Sequence, residues 1–301
     1  MRLLVLGAGG QVGRELSRFA WPAGCEVLAR DRSGLDITQR EAVFAAVTGG
    51  RADIVINAAA YTAVDRAESE VEAAWAGNCT GPANLAAACR DAAIPLIHIS
   101  TDYVFDGAKT GPYREDDSVN PLGVYGKSKE AGERAVREAL PQHVILRTAW
   151  VYSVHGSNFV KTMLRLAADR PVLRVVADQH GSPTSAADIA AAIAAIVPQI
   201  AAGDAKWGTY HFTAAGAATW HGFAEAIFDL ALPGNVAGRA PAPLVEAITT
   251  ADYPTPARRP ANSVLDCRKI AAAFGIVPRP WRTALADVIG ELHDAAAAQA
   301  R

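Results

Sequence analysis

The residues best suited to chemistry are Tyr125 and Lys129, in the stretch Tyr125-Gly126-Lys127-Ser128-Lys129. A spacing of four puts both side chains on one face of a helix, about one turn apart. A phenol beside an ammonium is a proton-transfer device. The positive charge favours the phenolate, so the spacing predicts a Tyr125 pKa lowered towards neutrality, where the phenol gives or takes a proton near pH 7. The same spacing also occurs on ordinary solvated helices, so the pair takes its meaning from the elements that position it.

Those elements begin at the N-terminus. Leu3–Leu6 is a continuous apolar run, the pattern of a strand covered on both faces. It runs into Gly7-Ala8-Gly9-Gly10-Gln11-Val12-Gly13, and residues 14–19 have helical composition. Strand, glycine turn and helix in that order are the context of a dinucleotide site. One glycine makes the tight turn, one lets backbone approach a pyrophosphate, and one lets helix and strand pack closely. The spacing Gly7-x-x-Gly10-x-x-Gly13 departs from Gly-x-Gly-x-x-Gly, although Gly9 is also present. A second strand, Glu26–Ala29, ends at Arg30-Asp31-Arg32, where the adenosine ribose belongs. An acidic side chain there suits a free 2′-hydroxyl and an arginine suits a 2′-phosphate. Arg30 and Arg32 tip the expectation to NADPH, and Asp31 keeps NADH open. Asp36 and Ile37 follow, either touching the adenine or, for Asp36 with Thr38, capping a helix that starts near Gln39.

A third strand, Asp53–Asn57, ends in Ala58-Ala59-Ala60-Tyr61, small residues that leave room for a flat ligand or for close helix packing. A helix over residues 71–93 contains Asn78. A fourth strand, Leu96–Ser100, ends in Ser100-Thr101-Asp102-Tyr103, with hydroxyl and carboxylate groups at its carboxyl end. Open α/β sheets bind ligands at that end. A strand-end hydroxyl then meets the Tyr125 phenol over a bound nicotinamide. Residues 144–151 read as a fifth strand carrying Arg147 and Trp150. A helix over 158–168, a strand over 173–177 and a helix over 186–197 capped by Ser185 complete the regular part. From Gly203 the rhythm breaks, and prolines gather at Pro233, Pro241, Pro243, Pro254, Pro256 and Pro260. This reads as a smaller lobe wrapped against the first, with Arg258 and Arg259 in its most polar cluster.

The totals narrow the partners. The 301 residues hold 29 basic and 31 acidic side chains with no long basic run, so nucleic acid is not expected. Cys25, Cys79, Cys89 and Cys267 stand singly, as reduced thiols of a cytoplasmic protein rather than a disulfide frame or a zinc site. The leading apolar run is too short for a signal peptide or a membrane span. Asn78-Cys79-Thr80 is read as a chance match to a glycosylation acceptor.

With these residues in place, the chain resembles the extended short-chain dehydrogenase/reductases and, within them, the dTDP-4-dehydrorhamnose reductase family. The resemblance rests on Gly10-Gln11-Val12-Gly13, on residues 57–65 and 100–107, and on residues 121–129. It continues through residues 147–152, 178–184 and 253–260. It implies a Rossmann-type doubly wound parallel sheet with a smaller, irregular C-terminal α/β lobe. The Rossmann domain would comprise residues 1–152 and about 178–202, and the substrate lobe about 153–177 and 203–301. Thr101, Tyr125 and Lys129 match the catalytic set. Gln11, Val12, Asp36, Ile37, Ala58, Ala59, Ala60 and Lys129 match cofactor contacts, beside Gly7, Gly10, Gly13 and Arg30 from the motif reading. Thr101, Asp102, Tyr103 and Trp150 match positions beside the sugar. The implied activity is NADPH-dependent reduction of a dTDP-4-dehydro-sugar, some members accepting NADH, with a homodimer open. Related nucleotide-sugar reductases or epimerases, and an NADP-binding regulatory subunit like the methionine adenosyltransferase beta subunit, are the rival readings. Some members bridge subunits with Mg²⁺. Here Glu15 and Glu291 correspond to two ligands but Ala187 stands near the third, so no metal is expected, and both glutamates read as exposed helix charge.

Overall fold

The apolar run near the N-terminus becomes β1 (Arg2–Leu6), the strand from which the rest of the sheet is built outward. The computed structural model describes residues 1–49, 52–232 and 242–299, so Pro233 and Pro241 lie outside the described residues. β1 pairs in parallel with β2 (Glu26–Arg30) on one side and β3 (Ile54–Asn57) on the other. β4 (Leu96–Thr101), β5 (His143–Thr148) and the strand Gly208–His211 continue the sheet beyond β3, all parallel. The order is Gly208–His211, β5, β4, β3, β1, β2. The chain leaves β1 in one direction to β2 and returns on the other side at β3, so a crevice opens between the carboxyl ends of β1 and β3.

Parallel neighbours need crossover helices, which cover both faces and account for the unbroken apolar strands. Leu3 and Val5 cluster on one face with Val12 and Leu16 of α1 (Gln11–Arg18) and with Ile189, Ile193 and Val197 of the helix Ala186–Ala201. Leu4 and Leu6 cluster on the other with Val43, Val47, Leu85 and Cys89. The predicted cap holds: Ser185 Oγ accepts from Asp188 N at 3.0 Å. A separate core gathers Tyr152, Phe223, Trp281 and Leu285 from residues beyond the fifth strand. A short parallel pair, Val172–Val176 with Leu244–Ile248, borders it.

Three elements differ from the sequence reading. Residues 203 onward do not form one lobe. Gly208–His211 returns to the edge of the central sheet, and Ile270 and Phe274 join the core beneath it. A four-residue strand opening on glycine is too short to show a period. The helix over 71–93 is interrupted by a π turn, Ala76–Thr80. Pro82 has no N–H to give the Asn78 carbonyl four residues back, so the ladder shifts there. β5 stops at Thr148, because Trp150 takes a left-handed backbone with φ 49°.

Candidate active site

The glycine turn fills the crevice between β1 and β3. Gly7 has φ +78°, and a Cβ there would stand 2.5 Å from Ala59 N. A Cβ on Gly13 would stand 2.1 Å from Gly7 O and 2.7 Å from Ala8 Cα. No side chain fits at either position, and that tightness presses the turn, α1 and the exit of β3 together. Gly10 caps α1 without a side-chain bond, so the first N–H groups of the helix have no side-chain acceptor. A cavity of about 680 Å³ opens in front, lined by Gly7, Gly9, Gly10, Asp31, Arg32, Asp36, Ile37 and Ala58–Ala60, among others. A helix N-terminus at the floor of a cavity with small walls fits a dinucleotide.

Not every expected cofactor residue reaches this cavity. Gln11 turns instead to the segment after β5: its Oε1 accepts from Asn158 Nδ2 at 2.9 Å and Ser153 Oγ at 3.1 Å. Val12 lies in the core, and Gly13 serves packing. The Arg30 guanidinium folds back to donate to Ala29 O at 3.1 Å. Arg32 does line the cavity, but its Nε donates to Asp36 Oδ2 at 3.1 Å. Asp36 takes both roles read from the sequence, lining the cavity while its Oδ1 accepts from Thr38 N at 2.9 Å.

Tyr125 and Lys129 lie on the helix Val124–Ala139, and both are buried. The start of this helix is pressed against the segment after β4, since a Cβ on Gly126 would stand 2.2 Å from Tyr103 O. The packing sets the Tyr125 ring edge-on to Tyr103, centroids 5.5 Å apart. Thr101 Oγ1 donates to Asp102 Oδ1 at 3.0 Å and accepts from Tyr103 N at 3.2 Å. Lys129 Nζ donates to Ile99 O at 2.7 Å. The structure therefore gathers Thr101, Asp102, Tyr103, Tyr125 and Lys129 around the end of β4.

The predicted acidity of the phenol is corrected. Burial pushes Tyr125 up to about 12; the neighbouring Thr101 hydroxyl pulls it down and the Asp102 charge pushes it further up. Spacing along a helix says nothing about depth, and here desolvation wins. Burial likewise takes Lys129 down to about 8, against the pull of Glu133. Asp102 is raised to about 6, by burial first and against the pull of Ser263 and Thr101.

Trp150 is held in its left-handed backbone by contacts on both sides. Its indole stacks on Trp220 at 3.5 Å and 4°, and a Cβ on Gly181 would stand 2.3 Å from it. The sequence reading missed Trp220. It also missed Asp65, which receives both terminal nitrogens of Arg259 at 3.0 and 2.8 Å, tying the proline-rich segment to the exit of β3. Asn78 was noted without a role. It accepts from Tyr61 N at 2.8 Å and donates to Ser128 Oγ at 3.1 Å, linking the β3 exit to the tyrosine helix. A mid-helix asparagine four residues before a proline was the available signal.

Glu15 is buried, not exposed. Arg18 lies between it and Glu291, donating Nε to Glu15 Oε2 at 2.5 Å and Nη2 to Glu291 Oε2 at 3.0 Å. A guanidinium already neutralises both carboxylates, Ala187 offers no side-chain oxygen, and its neighbour Asp188 is engaged by Arg279 at 2.8 Å. These residues do not fit a shared hard cation.

Residues 1–293 match the family described as RmlD substrate binding domain. The chain belongs to the RmlD substrate-binding family. Within that family, it is 50% identical to a dTDP-4-dehydrorhamnose reductase of Aggregatibacter actinomycetemcomitans, over 95% of this chain and 98% of the relative. A dTDP-4-dehydrorhamnose reductase crystal structure from Clostridium acetobutylicum superposes with a TM-score of 0.90 at 39% identity, covering 97% of this chain and all of the other. A dTDP-4-dehydrorhamnose reductase structure from Bacillus anthracis, in complex with NADP, gives a TM-score of 0.88 at 35% identity over 96% and 99% of the two chains.

Proposed function

We propose that the chain is an NADPH-dependent reductase acting on the C4 ketone of dTDP-4-dehydro-β-L-rhamnose to give dTDP-L-rhamnose, a step of dTDP-rhamnose biosynthesis. The observation that carries this reading is a buried Tyr125 gathered with Thr101 and Lys129 at the end of β4, in a chain half identical to a named reductase along nearly its whole length.

Gly7, Gly10 and the backbone N–H groups of Gln11 and Val12 would hold the cofactor diphosphate. Asp31, Arg32, Asp36 and Ile37 would meet its adenosine end, Ala58–Ala60 its middle, and Tyr125 with Lys129 its nicotinamide ribose. With Arg30 turned back and Arg32 engaged by Asp36, the arginine argument for the 2′-phosphate is weaker than the sequence implied. The preference for NADPH is carried by the NADP complex of the relative, and NADH is expected as a poorer substitute. Bound NADPH supplies the hydride to C4.

The chain's own residues handle the proton. A phenol pushed up to about 12 is fully protonated at neutral pH, the form needed to give a proton to the ketone oxygen as negative charge builds on it. Thr101, whose single hydroxyl proton goes to Asp102 in this structure, would turn it to the same oxygen when the ketone is bound. A donor preset for the charged transition state contributes more than one that binds the ground state equally well. Lys129, charged below its pKa of about 8, stabilises the phenolate that remains. Asp102, Tyr103 and Trp150 shape the sugar side. The lobe built around Tyr152, Phe223 and Trp281 would hold the nucleotide.

The described cysteines are all unpaired, which supports a reducing, cytoplasmic setting. Among the described residues no helix is long and apolar enough to cross a membrane.

The test is product analysis with the keto-sugar nucleotide and each reduced cofactor. NADPH-dependent formation of dTDP-L-rhamnose supports the reading. A different epimer or an unreacted keto-sugar with tight NADPH binding would refute it in favour of an epimerase or a regulatory subunit.

A further inference from the structure

A buried ion pair sits behind Lys129. Glu133 follows Lys129 by four residues on the helix Val124–Ala139, one turn along the same face. Its carboxylate is fully buried, and Arg147 of β5 takes both oxygens, Nε to Oε1 at 2.9 Å and Nη2 to Oε2 at 2.7 Å. Arg137 adds a bond to Oε2 at 2.9 Å. The Phe105 ring covers the Arg147 guanidinium at 5.1 Å, and His211 Nε2 lies 3.4 Å from its Nη1. Burying such a pair is expensive, and apolar residues of similar volume would join helix to strand as well.

The geometry around Lys129 points to what the pair does. The ammonium has one protein acceptor, the Ile99 carbonyl. The ionisable groups around it are Tyr125, Glu133 and, beyond Glu133, Arg137 on its own helix, His98 of β4 and Asp102 after it, and Arg147 of β5 behind Glu133. His98 is kept neutral by burial and by the Lys129 charge. Of these groups Glu133 is the one whose negative charge acts on the ammonium.

We infer that Glu133, clamped by Arg147, is a positioning residue that keeps Lys129 charged inside the protein; this rests on the assignment of Lys129 to the reductase site. Two pKa directions agree with it. Burial lowers Lys129 and the Glu133 charge opposes that fall. Burial would raise Glu133, but the charge and bonds of Arg147 outweigh it and hold the carboxyl at about 2, ionised across the working range.

The test reads Lys129 directly. The full chain, labelled with carbon-13 at lysine Cε, is titrated by NMR, with Lys129→Met assigning the resonance. Charges one helical turn apart, roughly 6 Å, at an effective dielectric near 20 give a shift of about one to two pH units. Glu133→Gln is expected to lower the Lys129 midpoint by that amount, and Glu133→Asp to restore most of it. Should Glu133→Gln not fold with Arg147 left unpaired, the double variant Glu133→Gln/Arg147→Met removes both charges while Arg137 keeps Glu130, and a smaller fall in the same direction is expected, because Arg147 stands farther from the ammonium than Glu133. In the reductase assay the alkaline limb of kcat/KM should move with the midpoint while KM for the sugar stays put. An unchanged Lys129 midpoint in either folded variant overturns the inference. The titration needs no turnover, so an inactive wild-type protein would sink the reductase reading and leave this result standing.

Discussion

Gly13→Ala tests whether the glycine turn is the cofactor cradle. The added Cβ would stand 2.1 Å from Gly7 O, and ordinary contact begins near 3.4 Å, so a gap of more than 1 Å must open. Nothing soft can yield. The obstructing atoms are backbone of Gly7 and Ala8, and Gly7 is itself wedged against Ala59 N. Overpacking costs ~1–3 kcal/mol where side chains can adjust, and this site belongs at the upper end. The displaced segment carries the N–H groups assigned to the diphosphate, so NADPH affinity should fall at least about tenfold, equivalent to ~1.4 kcal/mol. Gly49→Ala is the control, because a Cβ there meets nothing within 4 Å. Urea unfolding and fluorescence titration with NADPH measure both effects. Wild-type affinity and an unmoved unfolding midpoint in Gly13→Ala would refute the reasoning.

Asp102→Asn should trade activity for stability. The folded pKa of about 6 exceeds the ordinary 3.8, so the stability Asp102 contributes is present below pH 4 and lost as pH rises through 6. The variant should therefore gain on wild type between pH 4 and 7.5, by at most ~3 kcal/mol for a shift of about two units, and urea unfolding at the two pH values checks this; a constant difference would contradict it. Trp220→Leu removes the stack that holds Trp150, worth ~0.5–1.5 kcal/mol. KM for the sugar nucleotide should rise roughly two- to tenfold with NADPH binding unchanged, and steady-state kinetics with both varied decides. Arg18→Met strands Glu15 and Glu291 and should cost ~1.5–3 kcal/mol in urea unfolding. Chelators should leave wild-type stability unmoved, and a loss of stability on chelation would show that a metal does sit there.

The parts of the site visible in the sequence were those set by local chemistry. A strand followed by glycines at 7, 10 and 13 has few alternatives, and at 7 and 13 only glycine survives because backbone meets backbone there. Tyr125 and Lys129 share a helix face by spacing alone. Their electrostatics were not visible, because burial is decided by what packs on top, and it reversed the expected direction for Tyr125. Pairings between distant residues were hidden for the same reason: Asp65 finds Arg259 across 194 positions. Arg30 and Arg32 looked equivalent in sequence, yet one folds back on its own strand while the other lines the cavity. The strand Gly208–His211 was lost among loops because four residues carry too little pattern to be told from an extended turn.

The most direct measurement is single-turnover reduction of dTDP-4-dehydro-L-rhamnose by Tyr125→Phe with saturating NADPH. Removing the proton donor should slow the chemical step by ~10²–10⁴-fold while NADPH binds as in wild type. A rate within a few-fold of wild type would mean that the proton comes from another group.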